Sequence, residues 1–298
     1  MKNILLSLIM PNHNTNKDFF YSAIVSVTKQ KGVDWKFFEV VVVNDHCNKE
    51  CKKNIIKIVN EIKIRLPNLE ISVIDNKQTI GPGNAINEGV KHSSGLYFAS
   101  LDCDDILTAN CLKCFLSYSK KYNHFDLLFS DHVKTSTDLK EIIYIRKKKI
   151  IYQLHKNYKN SIYDPHLYMS IIGHISFIKK SAWKQTGGYN NICPSEDWNF
   201  FLRISRLKKE VNFFHIPRIL YKYRYNYKSV SNREVKKARK YIEEKHGQFL
   251  IKKHYPISKV AFYSRVIPSH SSYYNLYRDQ KIINPPWFNY TKKTIIKR

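Results

Sequence analysis

Residues 95–107 read GLYFASLDCDDIL, an apolar run that ends abruptly in three carboxylates. The run from Tyr97 to Leu101 has the composition of a buried strand, and open α/β sheets bind their ligands at the carboxyl ends of such strands. Carboxylates this close repel one another, and hard oxygen ligands of this kind suit Mg²⁺ or Mn²⁺ shared with a phosphate. A solvated acidic turn that caps a helix beginning near Thr108 is the alternative, and the stretch alone leaves both interpretations open. The three acids are Asp102, Asp104 and Asp105.

Outward from this stretch, short apolar runs alternate with amphipathic stretches over the first 130 or so residues. Helical patterns are expected over 17–30, 51–65, 83–92 and 109–121. Strand–helix alternation of this kind predicts an α/β fold with a mostly parallel sheet, right-handed crossovers and flanking helices. The apolar runs are ILLSLIM (4–10), FFEVVVVN (37–44), LEISVID (69–75), LYFASLD (96–102) and FDLLFSD (125–131).

The second half of the chain is organised differently. Residues 133–170 are irregular, tyrosine-rich and basic, which predicts a mobile loop region over the site. Regular structure is expected again from HISFIKK (174–180), through helices beginning at Ser181 and Ser195, to strands at 211–216 and 218–225. We therefore expect one domain over residues 1–231, followed by a basic, aromatic-rich helical or irregular extension over 232–298.

Charge is concentrated at one end of the chain. The 298 residues carry a net charge of +27, of which +19 lies in residues 201–298. A basic end rich in aromatic residues suits an anionic membrane surface, a pyrophosphate-bearing acceptor or nucleic acid. The sequence shows no recognition helix, zinc module or RNA-binding strand signature, so a basic nucleic-acid-binding protein is the weaker hypothesis.

Hydropathy and cysteine spacing indicate the compartment. No stretch reaches the roughly 18–20 apolar residues that span a bilayer. The apolar start MKNILLSLIM passes directly into Pro11 without a small-residue cleavage site, so it is interpreted as a first strand. Cys111 and Cys114 form a CxxC pair with no second pair at zinc-site spacing, and the six cysteines are expected to be free thiols. The protein is therefore expected in the cytoplasm, peripheral on the inner face of the cytoplasmic membrane.

Four polar segments, taken in order, carry the strongest functional signal. Three predicted strands end in Pro11-Asn12-His13-Asn14, Asn44-Asp45-His46-Cys47 and Asp102-Cys103-Asp104-Asp105, and a Gly187-Gly188-Tyr189 turn precedes Glu196-Asp197. In order and spacing these segments resemble the family 2 glycosyltransferases of the GT-A fold, over about residues 4–231. The resemblance implies a Rossmann-like GT-A sheet and an inverting reaction that depends on a nucleotide sugar.

The resemblance places the base of a UDP-sugar donor against the first two loops. It implies nucleotide-sugar contacts for Pro11, His13 and Asn14, with the His13 ring stacking on uracil, although His13 also suits an ordinary turn. Asp45 corresponds to the acid that pairs with the N3–H of the base. Asn44 stands where the family has a further acid, and its amide can still orient the loop.

The DxD motif carries the metal in this family. The resemblance gives Asp102 the ribose and metal side and Asp104 a direct contact with Mn²⁺ or Mg²⁺ at the diphosphate, while Asp105 supports the loop or caps the next helix. The segment GPGNAINEG (81–89) also resembles a family segment, with Asn87 kept as a nucleotide-sugar contact and Ile86 in place of arginine.

The pair Glu196-Asp197 carries the catalytic assignment. Acids in a first helical turn often serve only to stabilise the helix dipole around a cap such as Ser195. The resemblance instead implies that Asp197 takes the proton of the acceptor hydroxyl and that Glu196 supports it. Arg203 would orient this helix or contact a neighbouring acid, and a surface arginine is the alternative.

One departure from the family pattern affects metal binding. Asn226 replaces a histidine often found near the metal, so either the DxD acids suffice or Tyr225, Lys228 or His215 compensates. The Gln-x-x-Arg-Trp signature of processive enzymes is absent. We therefore expect a non-processive transferase that moves a hexose or N-acetylhexosamine from a UDP-sugar to a lipid-linked, surface-polysaccharide acceptor. A catalytically impaired GT-A binding module is the alternative.

Overall fold

The computed structural model describes residues 3–146, 172–190, 196–204, 207 and 212–225. Within these residues the chain forms nine strands and six helices, together with one short 3-10 turn at Trp35–Phe37. The strands are β1 Leu6–Asn12, β2 Phe38–Asn44, β3 Glu70–Asp75, β4 Tyr97–Ser100, β5 Ile106–Leu107, β6 Leu127–Thr135, β7 Ile142–Arg146, β8 Ser176–Lys179 and β9 Phe213–Arg224. The helices are α1 Lys17–Thr28, α2 Lys49–Arg65, α3 Pro82–Lys91, α4 Cys111–Lys121, α5 Lys180–Thr186 and α6 Glu196–Ile204.

All nine strands belong to one sheet. Eight of them follow the order β3-β2-β1-β4-β8-β6-β9-β5, and β7 is an additional strand that pairs antiparallel with β6. The first four strands in this order are parallel, as predicted from strand–helix alternation. Beyond β4 the sheet is mixed, because β8 is antiparallel to both β4 and β6 while β9 is parallel to β6. The predicted α/β class is confirmed, and the only run of more than two adjacent parallel strands among the described residues lies in the half of the sheet that carries the first three loops.

The central strands β1 and β2 are largely apolar, as expected for strands that are covered on both faces. Leu8 and Met10 of β1 belong to the core on the side of α1 and α2. Ile9, between them, belongs to the opposite core with Val41 and Val43 of β2. A Cβ on Gly89 would lie 2.4 Å from Cγ2 of Ile9, so only glycine lets α3 approach the sheet this closely.

Two sequence predictions in the second half of the chain are corrected. Residues 133–146 are not an irregular loop, because β6 continues to Thr135 and β7 returns beside it as a hairpin. The two strands predicted over 211–225 form one strand, β9, whose register shifts opposite Ser130, Asp131 and His132. Residues 147–171 and the extension over 232–298 lie outside the described residues, so their interpretation stays a prediction.

Candidate active site

The first two parallel strands bring their polar ends together at one edge of the sheet. Asn12 at the end of β1 is in register with Asn44 at the end of β2, and the backbone N–H of Asp45 donates to the Asn12 carbonyl at 2.8 Å. The third loop lies beside them, because the N–H of Leu101 donates to the carbonyl of Ile9 at 2.9 Å. One edge of the sheet therefore holds Pro11, near the end of β1, and the loops that carry His13, Asp45 and the DxD motif, as their sequence positions predict.

The loop after β1 presents an oriented imidazole. Nδ1 of His13 lies 2.7 Å from the Asp45 carbonyl oxygen, which can only accept, so this nitrogen carries the proton. The His13 side chain is exposed, which leaves its ring face accessible for stacking. Asn14 adopts a left-handed conformation at φ 54° and accepts the N–H of Asn48 at 2.8 Å, so it joins this loop to the start of α2. Base stacking by His13 stays a prediction.

Asp45 is only 2% exposed, and its carboxylate already holds the loop that leads into α3. Oδ1 accepts the side-chain amide of Asn76 at 3.1 Å and the N–H of Ile80 at 2.9 Å, and Oδ2 accepts the N–H of Gly81 at 3.1 Å. Three donors leave about one of roughly four lone-pair positions for the predicted contact with a base. Asn44 orients the loop between β2 and α2, as predicted, by accepting the N–H of Cys47 at 2.9 Å.

The DxD loop alternates between half-buried acids and buried residues. Asp102 and Asp104 are half-buried, whereas Asp105 is 1% exposed. Burial raises the pKa of Asp102 to about 6 and, together with the charge of Asp102, that of Asp104 to about 6 as well. The charged forms of the two carboxylates are therefore disfavoured unless a cation lies beside them.

This pair fits a divalent cation that is shared with a substrate. Mg²⁺ is commonly held by one or two carboxylates together with substrate phosphates. Within the described part of the chain, no group of three His, Cys, Asp or Glu side chains is arranged to hold a metal ion. A metal ion at the DxD loop would have Asp102 and Asp104 as its protein ligands, and phosphate oxygens and water would fill its remaining coordination positions.

Asp105 anchors the loop to β9, which agrees with the supporting role predicted for it. Its Oδ2 accepts the hydroxyl of Tyr221 at 2.7 Å, and its Oδ1 accepts the backbone N–H of Arg224 at 2.6 Å. The Tyr221 hydroxyl in turn accepts the N–H of Asp102 at 3.4 Å, and Nε of Arg224 donates to the Asp104 carbonyl at 2.5 Å. Sequence reasoning assigned no such role to Tyr221 or Arg224, because these contacts join positions 116 to 120 residues apart.

Asp197 lies at the start of α6, close enough to Asp102 for the two charges to interact. Burial raises its pKa, the neighbouring charge of Asp102 adds to this effect, and the charge of His174 opposes it. Arg203 orients the helix, which was the first of the roles predicted for it. Its guanidinium donates to the Asn199 side chain at 2.9 Å and to the Thr186 carbonyl at 2.6 Å. Glu196 lies beside Asp197 in the first turn and is also half-buried.

Asn87 connects α3 to the turn that precedes α6. Its Oδ1 accepts the indole N–H of Trp183 at 2.9 Å and the N–H of Tyr189 at 2.7 Å, and its Nδ2 donates to the Tyr189 carbonyl at 2.7 Å. A Cβ on Gly188 would lie 2.4 Å from Oδ1 of Asn87, so this turn depends on glycine. These contacts favour a positioning role for Asn87 over the predicted nucleotide contact.

His174 is a site residue that sequence reasoning missed. Its ring stacks on Tyr221 with centroids 5.0 Å apart, and its charge lowers the pKa values of both Asp104 and Asp197 against the larger effect of burial. The predicted substitute His215 lies elsewhere, because its Nε2 is 2.8 Å from Oδ1 of Asp131. Asn226 and Lys228 lie outside the described residues.

Comparison with known proteins identifies the family of the chain. Residues 7–187 match the family model for glycosyl transferase family 2. The chain is 25% identical over 263 residues to an uncharacterized glycosyltransferase of Haemophilus influenzae, which covers 84% of this chain and 75% of that protein. It is 30% identical over 123 residues to the Escherichia coli UDP-Glc:alpha-D-GlcNAc-diphosphoundecaprenol beta-1,3-glucosyltransferase WfgD, which covers 41% of this chain and 44% of that protein.

Two solved structures share the fold at low sequence identity. Staphylococcus aureus TarS 1–349 in complex with UDP-GlcNAc superposes with a TM-score of 0.65 at 14% identity, over 95% of this chain and 77% of TarS. The Pyrobaculum calidifontis mannosyltransferase PcManGT, in complex with GDP-Man and Mn²⁺, has a TM-score of 0.61 at 12% identity, over 97% of this chain and 83% of that protein. With a GT-A fold, and with the family model matched over more than half of its length, the chain belongs to glycosyl transferase family 2.

Proposed function

We propose that this family 2 enzyme is an inverting, non-processive transferase that moves a hexose or N-acetylhexosamine from a UDP-sugar to a surface-polysaccharide acceptor. The observation that carries the proposal is the proximity of two half-buried DxD acids to a carboxylate at the start of α6, the Asp197 side chain, whose pKa the charge of Asp102 raises. An inverting transfer needs this arrangement, because the proton acceptor and the leaving diphosphate lie on opposite faces of the sugar.

The residues of this chain would divide the reaction between them. The oxygen of an acceptor hydroxyl forms a bond to the anomeric carbon as the bond from that carbon to the UDP oxygen breaks. Asp197 takes the hydroxyl proton, and UDP leaves with the bonding electron pair. The raised pKa of Asp197 suits a base that must accept a proton near neutral pH. Mn²⁺ or Mg²⁺, when bound at Asp102 and Asp104, supplies charge neutralisation for the diphosphate.

The relatives support the choice of donor and acceptor class. WfgD is named for transfer from UDP-Glc to a GlcNAc diphosphoundecaprenol, and TarS is seen with UDP-GlcNAc. We infer a UDP-sugar donor and a lipid-linked acceptor for this chain as well. The charge of +19 over residues 201–298 supports a peripheral position on an anionic cytoplasmic membrane surface. Among the described residues, no helix combines the length and apolar composition needed to cross a bilayer.

Nucleotide release with and without the proposed base tests this function. The full chain with Mn²⁺ should release UDP from UDP-Glc or UDP-GlcNAc. Asp197→Asn should bind UDP normally and lose about 10²- to 10⁴-fold in rate, because only the proton acceptor is removed. Asp34→Asn, at an exposed carboxylate in the loop before β2, is the matched control. UDP binding without release from either UDP-sugar would contradict transfer and favour the binding module.

A further inference from the structure

A row of rings runs along β9 and begins at a tyrosine that contacts the DxD loop. Tyr221 is hydrogen-bonded to that loop through its hydroxyl, and the ring of His174 stacks on Tyr221 at 5.0 Å with an interplanar angle of 25°. His174 also stacks on Tyr223, with centroids 6.0 Å apart. Because alternate residues of a strand share a face, Tyr221 and Tyr223 lie on the same side of the sheet, with His174 over both.

The row continues to a lysine and a third tyrosine. Nζ of Lys134, on β6, lies 5.5 Å from the ring centroid of Tyr223 and 4.0 Å from that of Tyr225. Lys134 is in register with Tyr223, and the N–H of Tyr225 donates to the Thr135 carbonyl at 2.9 Å, so the two strands stay paired along the row. We call His174, Tyr223, Lys134 and Tyr225 the ring strip. All four side chains are half-buried, so each retains an accessible surface.

The chemistry of the ring strip matches a sugar that carries a phosphate. The faces of aromatic rings are electron-rich, and they attract the C–H groups on the apolar side of a sugar ring. A lysine ammonium is a point charge suited to phosphate oxygens, and contact with ring faces restricts where it lies. The order along the row is informative, since Tyr221 and His174 interact with the acids, whereas the ammonium contacts Tyr223 and Tyr225 at the other end of the row.

Building on the proposed transferase function, we propose that the ring strip binds the acceptor, with the sugar ring against Tyr223 and a phosphate on the reducing side of that sugar at Lys134. His174 then lies between the bound acceptor sugar and the acids Asp104 and Asp197. This arrangement places the hydroxyl end of the acceptor toward the base and its phosphate end away from the donor diphosphate. Phosphate on a lipid diphosphate and phosphate within a glycan phosphodiester share this chemistry.

Binding of matched acceptor probes to the UDP-loaded full chain tests the proposal by calorimetry. The probes are an alkyl GlcNAc diphosphate, an alkyl GlcNAc phosphodiester and an alkyl GlcNAc glycoside without phosphate. We expect a phosphorylated probe to bind about tenfold or more tightly than the plain glycoside. Lys134→Met should remove that preference and Lys134→Arg should restore part of it. Whichever phosphorylated probe binds more tightly identifies the source of the phosphate.

The control is Lys222→Met, at the position between Tyr221 and Tyr223 whose side chain points to the other side of the strand. It should keep the preference for phosphorylated probes. Equal affinity for all three probes, binding of none of them, or an unchanged preference in Lys134→Met would overturn the proposal. UDP release from UDP-sugars, measured on the same samples, separates the two hypotheses, because release without a phosphate preference refutes the ring strip alone. A phosphate preference without release refutes the transferase function alone.

Discussion

Removal of one hydroxyl, in Tyr221→Phe, should both destabilise the protein and disturb the DxD loop. Tyr221 is fully buried, and its hydroxyl donates to Asp105 at 2.7 Å and accepts the N–H of Asp102 at 3.4 Å. A hydrogen bond to a charged or strongly polar partner contributes about 1.5–3 kcal/mol, and the longer contact to Asp102 adds little. Since 1 kcal/mol shifts the Tm of a domain of this size by about 2–4 °C, we expect a fall of about 3–12 °C.

The assay pairs thermal melting with Mn²⁺-dependent UDP release. Tyr221→Phe keeps the ring on which His174 stacks, so a loss of activity would be due to the position of the loop rather than to a lost ring. We expect UDP release to fall about tenfold, which corresponds to about 1.4 kcal/mol in the barrier. Tyr122→Phe, whose ring stacks on Phe214 at 4.1 Å, is the control and should melt and turn over normally. A Tyr221→Phe variant with unchanged Tm and activity would refute the anchoring role.

Three further predictions concern the metal and the membrane. Asp104→Asn should reduce Mn²⁺ affinity by calorimetry and lower UDP release by orders of magnitude, because it removes a charge that balances the cation; near-normal values would contradict the DxD assignment. Asp102 and Asp104 have folded-state pKa values of about 6 against 3.8 for an unperturbed aspartate, so their protonation favours the folded state. This contribution to the free energy of unfolding is complete below pH 3.8 and is lost as the pH rises through about 6. Melting without metal should show this loss, Mn²⁺ should offset it above pH 6, and the Asp102→Asn/Asp104→Asn double variant should show neither effect. The full chain should float with phosphatidylglycerol vesicles at low salt and less at high salt; equal flotation with phosphatidylcholine vesicles would contradict electrostatic docking.

The sequence predicted the first half of the fold because local pattern and tertiary structure agree there. The apolar runs of β1, β2 and β4 identify buried strands, whereas β3 lies at the edge of the sheet and buries only Ile71. A parallel sheet brings the ends of such strands to one edge. Helix α2 begins at Lys49, earlier than predicted, because the Asn48 side chain caps it by accepting the N–H of Cys51 at 2.8 Å. Strand order beyond β4 was not predictable in this way, because β8 separates β4 from β6 and adjacency in sequence gives no signal for it.

The site was predictable where a motif is contiguous and not where it is assembled from distant strands. Asp45, Asp104 and Asp197 follow recognisable patterns, although nothing local shows that Asp45 also holds the loop before α3. His174 belongs to no motif, and its position over Tyr221 exists only because β8 and β9 lie on either side of β6. A histidine at the start of the predicted strand that leads into α5 would be a signal for such a residue, because α5 precedes the Gly187-Gly188-Tyr189 turn.

The alternation within the DxD loop explains why neighbouring acids are expected to fail in different ways. Asp102 and Asp104 are half-buried, and burial raises both of their pKa values, with the charge of Asp102 adding to the effect at Asp104, so substitutions there should act on cation and donor binding. Asp105 turns inward, and its two oxygens hold the Tyr221 hydroxyl and the Arg224 backbone, so substitutions there should act first on stability. Both partners of Asp105 belong to β9, the strand that also carries Tyr223 of the ring strip. The acidic edge therefore takes its final shape only when β9 pairs with β5 and β6, which couples the geometry of the donor site to the strand proposed to bind the acceptor.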